Sequence, residues 1–99
     1  VILKNTKTGE EKDFKCDGVF IYVGLTPNTE LFKGLINLDS AGRIITNEKM
    51  ETNVPGVFAA GDVRETPLKQ AVTAAADGSL AATIALGYLE TIHEKQKVH

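Results

Sequence analysis

The sequence predicts an α/β fold made of short strands and one long C-terminal helix. Two apolar runs, residues 19–23 and 57–60, are rich in β-branched and aromatic residues, and a glycine follows each of them directly. Continuous apolar runs of this length are typical of strands that are buried on both faces of a parallel sheet. From residue 68 to about residue 95, small and apolar residues recur at helical spacing instead, which predicts a single helix.

The remaining elements are short. Residues 1–4 and 14–16 favour strands on either side of a polar stretch, which predicts a hairpin with Gly9 at the position of positive φ. Leu31, Phe32 and Leu35 are spaced for one helical turn. Residues 39–42 (Asp-Ser-Ala-Gly) predict a tight turn, and residues 43–46 a short strand after it.

Length and composition exclude several classes of protein. Ninety-nine residues, at 10.6 kDa, suffice for one small domain with a modest core. The net charge is −2 and no basic patch stands out, so we expect no nucleic-acid partner. The uninterrupted apolar runs are only a few residues long, which predicts that no segment spans a membrane.

The chain has one cysteine, Cys16, which excludes an internal disulfide and a Cys-x-x-Cys pair within the 99 residues. We expect Cys16 to be a small buried residue, and a solitary thiol favours a reducing, cytoplasmic compartment. His93 and His99 lie in a polar tail, with no second ligand at metal spacing, so no metal site is predicted. Val1 opens what reads as the middle of a sheet, so we expect the chain to be a piece of a larger protein.

A Gly-Asp pair follows the second apolar run and provides the first candidate site residues. Asp62 then lies at the carboxyl end of the sheet, where ligands bind in open α/β folds. Gly61 allows a ligand to approach the main chain, and an ionised Asp62 only accepts hydrogen bonds, which suits the hydroxyls of a polyol. Because Gly-Asp after a strand is common, the pair alone is a weak signal.

The start of the predicted helix provides the other candidates, Lys69, Gln70 and Ala71, just after Pro67. Free N–H groups and the positive end of the helix dipole stabilise negative charge by about 0.3–1 kcal/mol per exposed interaction. A polyol acceptor and an anion-stabilising helix start at the same end of a sheet suggest a flavin.

Two longer segments resemble parts of a known flavoprotein family. Residues 52–63 (TNVPGVFAAGDV), together with residues 69–71 and 73–82, resemble the C-terminal FAD-binding segment of the low-molecular-weight thioredoxin reductases. Residues 17–29 (DGVFIYVGLTPNT) resemble the final strand and the Gly-x-x-Pro-Asn-Thr turn that close the NADPH-binding domain of that family. The two motifs occur in the family's order and at about its spacing, which makes the combined signal strong.

The resemblance implies a partial FAD/NAD(P)-binding Rossmann-like fold of three layers. Residues 1–29 would end an NAD(P)H-binding domain, and residues 30–99 would form the C-terminal part of an FAD-binding domain. The resemblance also implies that Asp62 binds the ribityl chain of FAD. Lys69 stands where the family often has arginine, so the charge is kept and the planar fork is lost.

The same resemblance assigns the edge of the isoalloxazine ring to Lys69, Gln70 and Ala71. Main-chain N–H groups of that turn would face the N1/C2=O side, where charge accumulates on reduction. Neither a Gly-x-Gly-x-x-Gly loop nor a redox dithiol occurs in the 99 residues. The chain alone is therefore expected to be inactive, with only one wall of the flavin site.

The implied parent is an enzyme that passes electrons from NADPH through FAD to a disulfide, and on to a thioredoxin-like partner. The flavin subunit of an alkyl hydroperoxide reductase has a similar tail and is a close alternative. A non-catalytic module or subunit that completes a sheet on another chain is the alternative from a different class. Unpaired strand edges predict a homo-oligomer in either case.

Overall fold

The computed structural model describes residues 1–98, which contain one long helix and a two-stranded antiparallel sheet. The strands are β1 (Ile2–Lys4) and β2 (Glu11–Asp13), and the helix is α1 (Ala71–Lys97). Two short 3₁₀ helices cover Glu30–Phe32 and Gly61–Val63. The molecule measures 75 × 28 × 20 Å, and α1 alone is about 40 Å long at 1.5 Å per residue.

The predicted hairpin is confirmed, with an earlier second strand. Gly9 has φ 75°, the left-handed value that the turn requires of it. The N–H of Asn5 donates to the carbonyl of Glu10 at 2.8 Å and closes the turn. Because this closure sets the register, β2 occupies residues 11–13 rather than residues 14–16.

The predicted buried strand at residues 19–23 is wrong for this structure. The segment forms no strand, and its side chains are exposed, from 59% for Val19 to 101% for Phe20. A strand that is apolar on both faces needs hydrogen-bonded neighbours and covering layers, and residues 1–98 place neither beside it. Cys16, which we expected to be buried, is exposed for the same reason.

The central turns form as the sequence predicts. The first 3₁₀ helix supplies the turn expected around Phe32. The N–H of Gly42 donates to the carbonyl of Asp39 at 3.0 Å, and the Asp39 carboxylate accepts the N–H groups of Ala41 and Arg43, each at 2.9 Å. A carboxylate that accepts hydrogen bonds from its own following backbone is the usual reason for aspartate at the start of a turn.

A small core lies beneath these turns. Its three buried residues are joined by three partly buried ones: Ile36, Ile44 and Ala59, with Leu38, Val54 and Val63 around them. The predicted strands at residues 43–46 and 57–60 are reduced here to isolated bridges, two through Ile44 and one through Phe58. The predicted central strand at residues 57–60 is only partly correct, because one bridge at Phe58 takes the place of a continuous strand.

Helix α1 begins three residues later than predicted. Gln70 has an extended backbone, and its N–H donates to Oγ1 of Thr73 at 3.1 Å, so Lys69 and Gln70 precede the helix. The helix ends at Lys97, close to the end that the sequence predicts near residue 95. His99 lies outside the described residues.

One face of α1 packs on the centre of the molecule. Its half-buried positions include Ala74, Ala81, Ile84 and Ala85, which recur at the helical spacing predicted for the small residues. Tyr88 packs edge-on against Phe58, with ring centroids 6.4 Å apart at 74°. The small residues allow the helix to lie close to the backbone of the second 3₁₀ helix.

By length and composition, α1 also qualifies as a membrane span, although a core helix of a soluble protein passes the same test. This result differs from the prediction made from apolar run length. The difference arises because alanines, glycines and threonines keep the helix apolar overall without any long uninterrupted run. None of the qualifying stretch is buried inside the molecule.

Candidate functional site

Gly61 is buried where the segment after the core contacts α1. Its φ is 79°, in the left-handed region that favours glycine. A Cβ built on Gly61 would lie 3.4 Å from Cβ of Ala74, so α1 approaches this backbone closely. Both observations explain why the Gly-Asp turn begins with glycine, and Asp62 follows it exposed to solvent.

An ion pair fixes this turn to the helix. Asp77 accepts the N–H of Gly61 through Oδ2 at 3.1 Å, and Nε of Arg64 donates to the same oxygen at 2.7 Å. Nη2 of Arg64 also donates to Oδ1 of Asp77 at 3.3 Å, which completes a two-pronged pair. Nη1 of Arg64 donates to the carbonyl of Glu65 at 2.9 Å.

The environment of Asp77 stabilises its charged form. The hydrogen bond from Arg64, followed by the Gly61 N–H and the nearby guanidinium charge, lowers the pKa of Asp77 below its ordinary 3.8, although partial burial opposes the shift. Sequence reasoning gave Asp77 no functional weight. A signal was available, since Asp77 is the only charged residue between residues 71 and 89.

A cavity of about 260 Å³ opens beside Asp62 and is named here the Asp62 pocket. Its lining comes from the turn after the exposed segment, from the start of the predicted strand at residues 43–46, and from the second 3₁₀ helix and the segment that follows it: Leu25, Thr26, Pro27, Asn28, Arg43, Asp62, Val63 and Lys69. The pocket therefore joins residues 25–28 of the first motif to Asp62 of the second, more than thirty residues further along the chain.

The structure brings some of the predicted site residues together. Asp62 and Lys69 line the Asp62 pocket, and Gly61 shapes the turn behind it. Nζ of Lys69 donates to the carbonyl of Thr66 at 3.2 Å, which draws its charge towards the backbone. Gln70 and Ala71 form the start of α1 and do not line the pocket.

Arg43 is a pocket residue that sequence reasoning missed. Its side chain is half-buried, and its Nε is fully enclosed without a hydrogen-bond partner among residues 1–98. The available signal was a basic residue directly after the turn at residues 39–42, at the start of a short strand. Within the same described residues, no group of three His, Cys, Asp or Glu side chains could hold a metal ion.

A larger cavity, of about 520 Å³, is lined by residues of the central turns, between Thr29 and Ile45. Glu30, Lys33 and Asp39 are among its lining residues, and Asp39 already accepts backbone hydrogen bonds. None of the predicted site residues borders this cavity. The Asp62 pocket is the better candidate because both sequence motifs contribute to it.

Comparison with known proteins decides the family. The sequence profile described as pyridine nucleotide-disulphide oxidoreductase matches residues 2–78, more than three quarters of the chain. The chain belongs to this family. This match confirms the predicted resemblance and the predicted Rossmann-like class. The matched region includes every residue that lines the Asp62 pocket.

Individual relatives agree with the family match. The thioredoxin reductase of Bacillus subtilis (strain 168) is 50% identical to this oxidoreductase chain over 97 residues, which are 98% of this chain and 31% of that protein. The crystal structure of Lactococcus lactis thioredoxin reductase in its FR conformation matches with a TM-score of 0.78 at 46% identity, over 91% of this chain and 30% of that one. The chain thus spans about a third of the length of these relatives.

Proposed function

We propose that this chain is the C-terminal FAD-binding part of a thioredoxin reductase-like flavoprotein, which transfers electrons from NADPH through FAD to a disulfide. One observation carries the proposal: the turn at residues 25–28 and Asp62 line the same pocket. Both segments carry motifs of that enzyme type, and thioredoxin reductases of three bacteria are 46–50% identical to the chain.

The donors and acceptors of the Asp62 pocket fit FAD. Asp62 is exposed and supplies carboxylate oxygens that accept hydrogen bonds from hydroxyl groups. Nε of Arg43 is an enclosed donor that has no acceptor among residues 1–98, and Lys69 adds a second positive charge. When bound, FAD would supply the two-electron carrier between a nicotinamide and a disulfide.

Each residue of the proposed cofactor-binding set has a distinct role. Asp62 accepts the ribityl hydroxyls, and Gly61 permits the close approach of the backbone. Lys69, Gln70 and Ala71 lie against the edge of the flavin ring, with the free N–H groups at the start of α1 directed to its anionic side. The Arg64–Asp77 pair holds Gly61, and thereby Asp62, in a fixed position relative to α1.

We further propose how the chain fits into the parent enzyme. Residues 1–29 end the NAD(P)H-binding domain, and residues 30–99 complete the FAD-binding domain. The partner is a thioredoxin-like protein, the compartment is the cytoplasm, and the chain alone is inactive, since it lacks a pyrophosphate loop and a dithiol in its sequence. The exposed apolar segment at residues 19–23 favours a second candidate, a non-catalytic module that completes the sheet of another chain.

A chimera tests the proposal. This chain replaces the matching 31% of the Bacillus subtilis thioredoxin reductase, and flavin content and NADPH-dependent reduction of thioredoxin are measured. We expect a yellow, active protein. A folded chimera without flavin or activity would contradict the proposal and favour the module.

Variants of the chimera test the role of Asp62. Asp62→Ala removes a charged acceptor, which contributes about 1.5–3 kcal/mol per hydrogen bond, so flavin affinity should fall at least tenfold. Glu48→Ala removes an exposed carboxylate that is not part of the pocket lining, and it serves as the matched control. Equal flavin retention by the Asp62→Ala chimera and its parent would show that the ribityl assignment is wrong.

A further inference from the structure

We propose that Arg43 binds a phosphate group of the ligand in the Asp62 pocket. The proposal rests on the proposed function, because it identifies that ligand as FAD and the group as the phosphate attached to the ribityl chain. The new element is the phosphate contact at Arg43. This residue lies outside the motifs at residues 17–29 and 52–63 and outside the helix start at residues 69–71.

The first step of the argument is the enclosed nitrogen. Nε of Arg43 is shielded from solvent and has no acceptor among residues 1–98. Burying a charged donor without a partner is unfavourable, and buried polar groups are almost always hydrogen-bonded. The two terminal nitrogens of the same guanidinium are not enclosed in this way, so an anion in the pocket can reach them and offset the charge that is buried with Nε.

The nearby charged groups do not serve as that acceptor. Asp39 accepts the backbone N–H groups of Ala41 and Arg43 through Oδ1, and it forms no ion pair with the Arg43 guanidinium among residues 1–98. Asp62 lines the same pocket, yet the only ion pair in the described part of the chain joins Arg64 to Asp77. The guanidinium of Arg43 therefore has no carboxylate partner among residues 1–98.

The chemistry of arginine narrows the ligand class. A guanidinium presents parallel N–H groups in a planar fork that matches the oxygens of phosphate. At about 260 Å³, the Asp62 pocket is smaller than the roughly 300–1,000 Å³ of sites that enclose a whole small molecule. It fits part of a ligand, with hydroxyls at Asp62 and an anion at Arg43, and a polyol phosphate combines both.

Nuclear magnetic resonance of the ¹⁵N-labelled 99-residue chain provides a direct test. FMN, riboflavin and inorganic phosphate are titrated separately, and the Nε–Hε signal of each arginine is followed. FMN should shift the Arg43 signal with a Kd of about 1 mM or tighter, whereas riboflavin, which lacks the phosphate, should leave it in place. Arg64 is an internal control, since its Nε already donates to Asp77.

Variants and the chimera separate the outcomes. Arg43→Gln should weaken FMN binding at least tenfold, and Arg43→Lys should retain part of it, while circular dichroism reports whether α1 remains folded. Equal shifts with riboflavin and FMN, no shift with FMN, or equally strong binding of free phosphate would overturn the proposal. If the chimera loads FAD equally well with Arg43→Gln, this inference fails and the proposed function stands; if FMN binds through Arg43 but the chimera takes no FAD, the proposed function fails.

Discussion

Replacing Asp77 by asparagine should release the Gly-Asp turn from α1. The substitution keeps the size of the side chain and removes the charge that pairs with Arg64 at 2.7 Å. The two side chains are 16% and 15% exposed, so the pair lies between a surface ion pair, at about 0–1 kcal/mol, and a buried one, whose disruption costs about 3–5 kcal/mol. We expect a loss of about 2–3 kcal/mol, within the range for hydrogen bonds to charged groups.

Hydrogen exchange at the Gly61 amide measures this loss directly, because that N–H donates to Oδ2 of Asp77. At 1.36 kcal/mol per tenfold change, exchange should accelerate by about 30- to 160-fold in Asp77→Asn. Glu90→Gln is the matched control, since Glu90 is an exposed carboxylate on the same helix without an ion pair in the described structure. Unchanged exchange at Gly61 in Asp77→Asn would refute the argument that the ion pair holds the turn.

Three other predictions concern acid stability, flavin content and self-association. The pKa of Asp77 is lowered in the folded chain, so its contribution to stability is complete above its ordinary pKa of 3.8 and is lost as the pH falls through the lower folded pKa. Acid unfolding monitored by circular dichroism should therefore show a smaller loss of stability over this pH range in Asp77→Asn than in the parent chain. The purified 99-residue chain should be colourless, without flavin absorbance at about 450 nm, and a yellow preparation with stoichiometric flavin would contradict this expectation. The exposed residues 19–23 should drive self-association, so light scattering should show oligomers that dissociate in Ile21→Lys but not in the control Leu31→Lys; a monomeric parent chain would disprove the idea.

Local signals in the sequence sufficed for the elements whose stabilising contacts lie close along the chain. Gly9, the turn that Asp39 begins and most of α1 could be predicted because their hydrogen bonds join residues a few positions apart. The start of α1 was misplaced by three residues, since the choice between Leu68 and Ala71 depends on the side chain of Thr73. The motifs also contain Asp62 and Lys69, which the structure places in the lining of one pocket, while their binding of a flavin stays a prediction.

Contacts between distant residues were decided by the tertiary structure alone. Residues 19–23 have the composition of a central strand, but a strand of that kind is stable only between neighbours, and residues 1–98 provide none. The pairing of Arg64 with Asp77 and the entry of Arg43 into the Asp62 pocket likewise depend on how α1 and the central turns pack. Sequence periodicity reports which face of an element is apolar, whereas the burial of a particular charge depends on which other segments pack around it.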